Sequence, residues 1–194
     1  MKPYTRADAE SELQDAMEAG DLGEARRHAA WLDQLGPPPA ATILGAALWY
    51  AEHDLPVFPL QPGLKIPLPG SRGVHSASCD PGVIRAWFQV PANLGLATGH
   101  LVDVIDFDGP NAHAAWGQLY PTWEDAGVEV LGTVATPRPG GLHVYVRATG
   151  TGNAAGLVPG VDYRGLGGYV VVPPSSTPVG HYRWLRQLDP SELP

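Results

Sequence analysis

One short segment, residues 101–109 (LVDVIDFDG), limits what this chain can fold into more than any other. Its apolar and β-branched residues alternate with a period of two and end at a Gly-Pro breaker, which predicts one buried strand. Residues i and i+2 of a strand lie on the same face, so we expect Asp106 and Asp108 to point the same way, with their stems about 6.6 Å apart. Asp103 falls on the opposite face of the predicted strand.

Two carboxylates at the end of a buried strand are costly, because like charges repel and burial disfavours both ionised forms. A divalent cation would offset that cost, since hard cations take oxygen ligands. The spacing allows Asp106 and Asp108 to converge on one pair of metal ions. The alternative is that both aspartates lie on a solvated strand end or in a turn. This segment alone leaves both interpretations open.

The composition narrows the class of protein. The 194 residues include 24 glycines and 21 prolines, which predicts many turns and short strands rather than long helices. The single cysteine allows neither an internal disulfide nor a thiolate zinc site, so we expect a reducing, cytoplasmic setting. No apolar run approaches membrane-spanning length and the first residues are not a signal peptide, so no membrane partner is predicted.

The charge is unevenly distributed along the chain. The net charge of −8 argues against a generally basic nucleic-acid binder. However, residues 1–55 hold 10 of the 20 acidic side chains but only 4 of the 12 basic ones. Most of the excess acidity therefore belongs to the N-terminal segment, which we do not expect to contact phosphate.

The hydrophobic periodicity predicts an α+β domain with a mostly antiparallel sheet and with helices in front of it and between its strands. Helices are predicted over residues 5–35 (two helices separated at Gly20), 40–53, from Asp80 onward and over 111–120, and strands over residues 57–60, 94–98, 101–108, 134–136, 142–147, 169–172 and 181–185. Residues 150–160 are predicted to be a loop, and the last two strands to form a hairpin. The proline run at 36–39 divides a helical N-terminal appendage (1–36) from the main domain (40–194).

Two further residues stand out for their context. His143 follows a glycine pair and opens a strand on which His143, Tyr145 and Arg147 share a face. Paired glycines allow close approach of a ligand or simply form a hairpin turn, and a histidine on a strand is more often structural. Asp162 lies in a Gly-rich approach to a strand, where an acid is a turn residue by default. His143 and Asp162 become informative only together with Asp106 and Asp108, because the four residues follow one another in a recognisable order along the chain.

That order resembles the prim-pol domain (bifunctional DNA primase/polymerase, N-terminal) of the archaeo-eukaryotic primase superfamily, found in plasmid and phage replication proteins. An apolar strand ending in acid-x-acid matches at Asp106 and Asp108, small-x-His at Gly141 and His143, and a lone acid after an apolar residue at Asp162. The segments FPLQPGLKIP, SASCDPGVIRAWF, NLGLATG and GGYVVVPPS are similar too, so the likeness covers about residues 40–186. The family's small residue is Ser, so glycine at that position removes a hydroxyl contact to phosphate.

The resemblance implies an RRM-like primase catalytic core flanked by helices and preceded by a small N-terminal helical segment. It implies an enzyme in which Asp106, Asp108 and Asp162 hold two Mg²⁺ or Mn²⁺ ions and nucleotides are joined to a primer 3′-hydroxyl. His143 would donate a hydrogen bond to the triphosphate of the incoming nucleotide. The implied partners are a single-stranded DNA template with its primer, dNTP or NTP, and a helicase domain or protein, with this chain as part of a longer replication protein.

Basic residues in Gly/Pro-rich loops are candidates for further phosphate contacts. Lys65, Arg72 and Arg138 are such residues, because a lysine point charge and an arginine fork both suit phosphate oxygens. The alternative for each is a solvated surface charge. Tyr182 and Trp184, on the last predicted strand, are a candidate template-facing pair.

A different class of function remains open beside the enzyme. A replication-initiation scaffold would keep the fold and bind DNA or a helicase without catalysis, but it would have no reason to keep clustered buried charge. A metal-dependent nuclease or phosphatase would use similar carboxylates. The resemblance beyond the acids favours the primase/polymerase.

Overall fold

A computed structural model describes residues 6–21, 23–24, 27–28, 42–108 and 128–193 of the chain. The helices are α1 (Arg6–Glu18), α2 (Ile43–Glu52) and α3 (Pro81–Trp87), with short 3-10 helices at Gly73–Ser76 and Pro190–Glu192. The strands are β1 (Val57–Leu60), β2 (Asn93–Ala97), β3 (Val102–Phe107), β4 (Val130–Ala135), β5 (Leu142–Arg147), β6 (Ala154–Val158), β7 (Val161–Arg164), β8 (Tyr169–Val171), β9 (Ser176–Thr177), β10 (Gly180–His181) and β11 (Arg183–Arg186). The predicted α+β class is confirmed.

The described strands form a large and a small sheet and a short hairpin. The large sheet has six strands in the order β11-β4-β5-β3-β7-β6, and the small one has three in the order β1-β2-β8. Every pair of these described strands is antiparallel, as predicted. The central position of β3 places its residues between β5 on one side and β7 on the other.

The six-stranded sheet is covered on both faces. On one face Val104 and Tyr145 pack in a core shared with α2 and the three-stranded sheet. On the other face Phe107 packs in a second core with Leu13 of α1 and with Leu185. Burial on both faces explains why β3 reads as an almost continuous apolar run. The division into residues 1–36 and 40–194 stays a prediction, but α1 itself packs against the sheet.

Side-chain caps fix the helix starts. Asp80 accepts hydrogen bonds from the backbone N–H of Gly82 (2.7 Å) and Val83 (3.1 Å), which confirms the predicted start of α3. Thr42 caps α2 in the same way, accepting from the N–H of Gly45 at 2.9 Å. None of the described helices is long and apolar enough to cross a membrane.

Two expectations about the later strands were wrong. Residues 150–160 contain strand β6, which pairs with β7 at the edge of the large sheet. Strands β8 and β11 do not form a hairpin, because β8 pairs with β2 in the small sheet and β11 with β4 in the large one. The chain between them folds into its own hairpin, β9–β10, and passes from one sheet to the other.

Several expectations fall outside the described residues. These are the helix at 111–120, the Gly-Pro breaker at 109–110, the proline run at 36–39 and most of the second N-terminal helix. Asp21 accepts from the backbone N–H of Gly23 and Glu24, each at 3.0 Å, as expected of the residue that begins that helix.

Candidate active site

Three neighbouring strands bring an aspartate, a histidine and a second aspartate side by side. Asp106 on β3 lies directly opposite His143 on β5 and directly opposite Asp162 on β7. Directly opposed residues of antiparallel strands share a face, with Cβ atoms about 4.5–5.5 Å apart. The three side chains therefore form one row across the sheet, although they are far apart in the sequence.

A cleft of about 380 Å³ opens beside Asp106 and His143 of this row, whereas Asp162 is not among its described lining residues. Four of the predicted site residues that line it are charged (Lys65, Asp106, Asp108, Arg138), and His143 lies among them. The other lining residues are Val74, Asn153, Arg164, Gly167, Gly168, Tyr169, Val170, Val171 and Tyr182. A larger cavity of about 560 Å³ lies between α2, α3 and the loop after β8, but the described residues lining it are all uncharged. The smaller cleft is therefore the one of the two that gathers charged side chains.

Asp162 joins the site through an arginine that sequence reasoning missed. Arg164 donates from one nitrogen, Nη2, to Asp162 Oδ2 at 2.8 Å and to Asp106 Oδ2 at 3.3 Å. The other oxygen of Asp162 accepts from the backbone N–H of Gly156 on β6 at 2.8 Å. The signal for Arg164 was present in the sequence, because i and i+2 of a strand share a face and Arg164 follows Asp162 by two residues.

Asp108 lies just beyond the end of β3, at the open side of the cleft. Its backbone N–H donates to the carbonyl of Gly160 at 2.7 Å, and Arg138 donates to its Oδ2. Both side chains of this ion pair are mostly or partly exposed, so solvent and salt screen it. Asp106 and Asp108 face the same cleft, as the period of two predicts.

His143 is buried as a neutral ring. Its Nε2 lies 3.6 Å from Asp106 Oδ1, and its Nδ1 has no hydrogen-bond partner among the described residues. Burial lowers the pKa of His143 to about 4, and the attraction of Asp106 opposes that shift only in part. At neutral pH the ring therefore carries one N–H, which can donate to a ligand.

Lys65 and Tyr182 form the wall beside the histidine. Lys65 Nζ lies 5.8 Å from the centre of the Tyr182 ring, within the range of a cation–π contact, and that ring is 5.7 Å from the ring of His143. Trp184, the other half of the predicted template-facing pair, packs instead on Tyr145 at 5.1 Å in the core. Tyr182 is itself 2% exposed and belongs to the same core, although it lines the cleft, so the two residues do not form an exposed pair.

A tightly packed glycine loop, of which Gly167 and Gly168 line the cleft, forms another part of its wall. Thr98 Oγ1 donates to the carbonyl of Gly165 at 2.7 Å, and Asn153 Oδ1 accepts from its N–H at 3.1 Å. A Cβ on Gly165 would lie 2.1 Å from the carbonyl oxygen of Thr151, and one on Gly168 would lie 2.1 Å from Asn153 Oδ1. Only glycine allows this approach, so the backbone of the wall is fixed.

Arg72 is exposed and precedes the 3-10 helix whose Val74 lines the cleft, but Arg72 itself is not among the described lining residues. Its predicted phosphate contact stays a prediction that no contact supports.

Asp103 lies on the opposite face of β3, as predicted. It accepts from Thr149 at its N–H (2.7 Å) and its hydroxyl (3.1 Å), and from the hydroxyl of Tyr163. Burial, followed by the bond to Asp103, raises the pKa of the Tyr163 hydroxyl, which therefore stays protonated as a donor. These bonds tie β3 to β7 from behind, and so they help to hold Asp162 level with Asp106.

The side chains fit a divalent cation, although the described residues contain no ready-made group of three His, Cys, Asp or Glu ligands. The guanidinium of Arg164 touches an oxygen of both Asp106 and Asp162, and that of Arg138 touches Asp108. Each carboxylate of the site thus already has a positive guanidinium beside it, at a position that a metal cation could also take. Carboxylate oxygens are also the donors that Mg²⁺ and Mn²⁺ take.

Comparison with known proteins agrees with the resemblance found in the sequence. No curated protein matches the chain. The family model described as "Bifunctional DNA primase/polymerase, N-terminal" (Prim-Pol) matches residues 47–194, which include the whole cleft and more than half of the chain. The chain belongs to the Prim-Pol family of DNA primase/polymerase domains.

Proposed function

We propose that this domain is a template-directed nucleotidyltransferase, which joins nucleotides to the 3′-hydroxyl of a primer. The observation that carries the proposal is the row of His143, Asp106 and Asp162 across three strands, in which His143 and Asp106 line a cleft with cationic walls and Arg164 links Asp162 to Asp106. Phosphoryl transfer needs positioning and charge neutralisation more than covalent help, and both are within the means of these residues. The volume of the cleft, about 380 Å³, lies in the range of small-ligand sites.

Asp106, Asp108 and Asp162 would hold two Mg²⁺ or Mn²⁺ ions. Such ions lower the pKa of the attacking hydroxyl and stabilise the leaving pyrophosphate. Asp106 contributes a carboxylate whose position is fixed by pairing of β3 on both sides. Asp162 is held by the N–H of Gly156, and Asp108 lies where the cleft opens to solvent. The fixed carboxylate of Asp106 suits the binding of ions, and the more exposed carboxylate of Asp108 suits their exchange with solvent.

The triphosphate would lie against the cationic walls. Lys65 supplies a point charge and Arg138 a planar fork for its oxygens. His143, neutral at pH 7, donates its single N–H to the same group without adding charge. Arg72, outside the cleft, would contact phosphate only further along the template or primer.

The wider setting rests on the family resemblance alone. It comprises plasmid or phage DNA replication in the cytoplasm, a single-stranded DNA template with its primer, dNTP or NTP as substrate, a helicase domain or protein as partner, and no membrane.

A primer-extension assay with Mg²⁺ or Mn²⁺, with and without chelator, tests the proposal. We expect metal-dependent extension that falls at least about 100-fold in Asp106→Asn, because a ligand of the reacting ions is lost. Glu129→Gln is the matched control, since Glu129 pairs with Arg147 outside the cleft (2.9 Å) and should not affect the rate. Wild-type extension by Asp106→Asn would remove that residue from the site.

The same assay separates the alternatives. Binding of single-stranded DNA with no incorporation under either metal would favour the replication-initiation scaffold. Shortening of labelled DNA with no extension would favour a nuclease.

A further inference from the structure

A single nitrogen of Arg164 joins two carboxylates that belong to different strands. Nη2 lies 2.8 Å from Asp162 Oδ2 and 3.3 Å from Asp106 Oδ2, so the guanidinium occupies the space between them. The side chain of Asp106 is only 17% exposed, and those of Arg164 and Asp162 are each 34% exposed. Partly buried pairs of this kind are screened less than surface pairs. Any cation that takes both oxygens must first displace Arg164.

The described part of the site is balanced in formal charge. Asp108, the remaining carboxylate, pairs with Arg138, and Lys65 adds a third positive group to the cleft. Three carboxylates therefore face three cationic side chains. Divalent ions arriving alone would make this cluster strongly positive, which is unfavourable. Two divalent ions together with a nucleoside triphosphate carry roughly no net charge, so their joint arrival preserves the balance.

We propose that Arg164 is an exchange residue, which occupies the cation position between Asp106 and Asp162 in the free enzyme and moves to the phosphates when metal and nucleotide bind. This inference rests on the proposed two-metal function. In this role Arg164 competes with the metal before binding and pairs with the nucleotide afterwards. Metal alone therefore binds weakly, and nucleotide makes it bind tightly.

The surroundings of Arg164 allow its side chain to move while its backbone stays fixed. The residue is paired with Val104 across β3 and β7, and the next residue, Gly165, is held by Asn153. Asp162 does not depend on Arg164 for its position, because its other oxygen accepts from the N–H of Gly156. The carboxylate can therefore stay in place when the guanidinium leaves.

The proposed exchange couples the affinity for metal to the affinity for nucleotide. If nucleotide raises the affinity for metal by some factor, metal must raise the affinity for nucleotide by the same factor. Arg164 supplies part of that coupling, because its charge disfavours metal without nucleotide and favours nucleotide with metal. Its removal should raise the affinity for metal alone while lowering the coupling. A residue with only a structural role would not produce this pair of opposite effects.

Electron paramagnetic resonance of free Mn²⁺ tests the inference on the full chain. Mn²⁺ is titrated alone and with a deoxynucleotide whose α,β-bridging oxygen is replaced by NH, so that no transfer occurs. In Arg164→Gln we expect Mn²⁺ alone to bind about fivefold or more tightly, and the gain on adding nucleotide to shrink by a similar factor. Arg164→Lys retains the charge and should stay closer to wild type. Arg147→Gln removes an arginine paired with Glu129 outside the cleft and should change neither value.

The outcomes separate this inference from the function on which it rests. If Asp106→Asn abolishes Mn²⁺ binding but Arg164→Gln binds Mn²⁺ alone no more tightly than wild type, the metal site stands and the exchange is wrong. If Asp106→Asn leaves Mn²⁺ binding unchanged with nucleotide present, the metal site itself is wrong, and the exchange with it.

Discussion

The two faces of strand β3 each carry an aspartate, and the partners of these two carboxylates differ in charge. Asp103, on the face covered by α1, is 0% exposed and is bound by neutral donors from Thr149 and Tyr163. Asp106, three residues later on the cleft face, has a positive side chain, Arg164, against it. Neutral donors fixed in the fold brace Asp103, whereas the long cationic side chain beside Asp106 is the one that we propose is exchanged for a metal ion. The same residue type on one strand thus has a structural role on one side and, on the other, lines the cleft in which we propose the chemistry occurs.

The largest expected effect separates the two aspartates by activity. We expect Asp106→Asn to lose at least about 100-fold in primer extension with little change in unfolding free energy, as a metal ligand would. Asp103→Asn should instead destabilise the fold by about 1–3 kcal/mol, because it disturbs buried hydrogen bonds, while folded protein remains active. Primer extension and urea unfolding of both variants measure the contrast. Equal loss of activity in the two would show that the faces are not separate in function.

The second prediction concerns the packing behind the sheet. Leu13 of α1 is 1% exposed and packs in the core that lies against Phe107. We expect Leu13→Ala to cost about 2–5 kcal/mol in unfolding free energy, since it removes buried methyl groups and leaves a cavity. Ser11→Ala, at an exposed position of the same helix, is the control. A loss below about 0.5 kcal/mol would mean that α1 is an appendage without a role in stability.

The third prediction uses the neutral histidine on the cleft face. The pKa of His143 is about 4 in the fold and about 6.5 in the unfolded chain, so between these values the unfolded chain binds more protons. This contribution lowers stability as the pH falls from 6.5 toward 4 and is absent above that window. Between pH 7 and pH 5, His143→Gln should lose about 2 kcal/mol less stability than wild type. Parallel stability curves in urea would contradict the burial of a neutral ring.

Strand identity was readable from the sequence to a large extent, but strand partners were not. The alternation of residues 142–147 predicted β5 with its observed bounds, and placed Asp103 and Asp106 on opposite faces. The alternation of 169–172 and 181–185 also predicted strands, but a period of two says nothing about which strand pairs with which. The two strands that were predicted to form a hairpin, β8 and β11, therefore lie in different sheets. Strand β6 was missed because Ala154–Val158 lies between glycines and has no alternation.

The site was predictable as a set of parts but not as an arrangement. Nothing local shows that Asp106 is level with both His143 and Asp162, because that register depends on strands far apart in the chain. The family resemblance supplied the grouping. No acid or histidine motif includes Arg164, so the motifs did not predict it. Its position two residues after Asp162 is nevertheless sufficient to place it on the same strand face.

The smallest expected effect compares one hydroxyl on each side of the sheet. Tyr163 donates to buried Asp103, whereas Tyr169 donates to the backbone carbonyl of Lys65 at 3.2 Å at the exposed edge of the cleft. Tyr163→Phe leaves a buried carboxylate with one donor fewer, so we expect it to cost about 1–2 kcal/mol in unfolding free energy. Tyr169→Phe loses a bond that water can replace and should stay within about 0.5 kcal/mol of wild type. Urea unfolding of the two variants gives both values. Equal costs would mean that the hydrogen bond from Tyr163 to Asp103 is no stronger than a contact at the cleft edge. Strand pairing alone would then hold Asp162 level with Asp106.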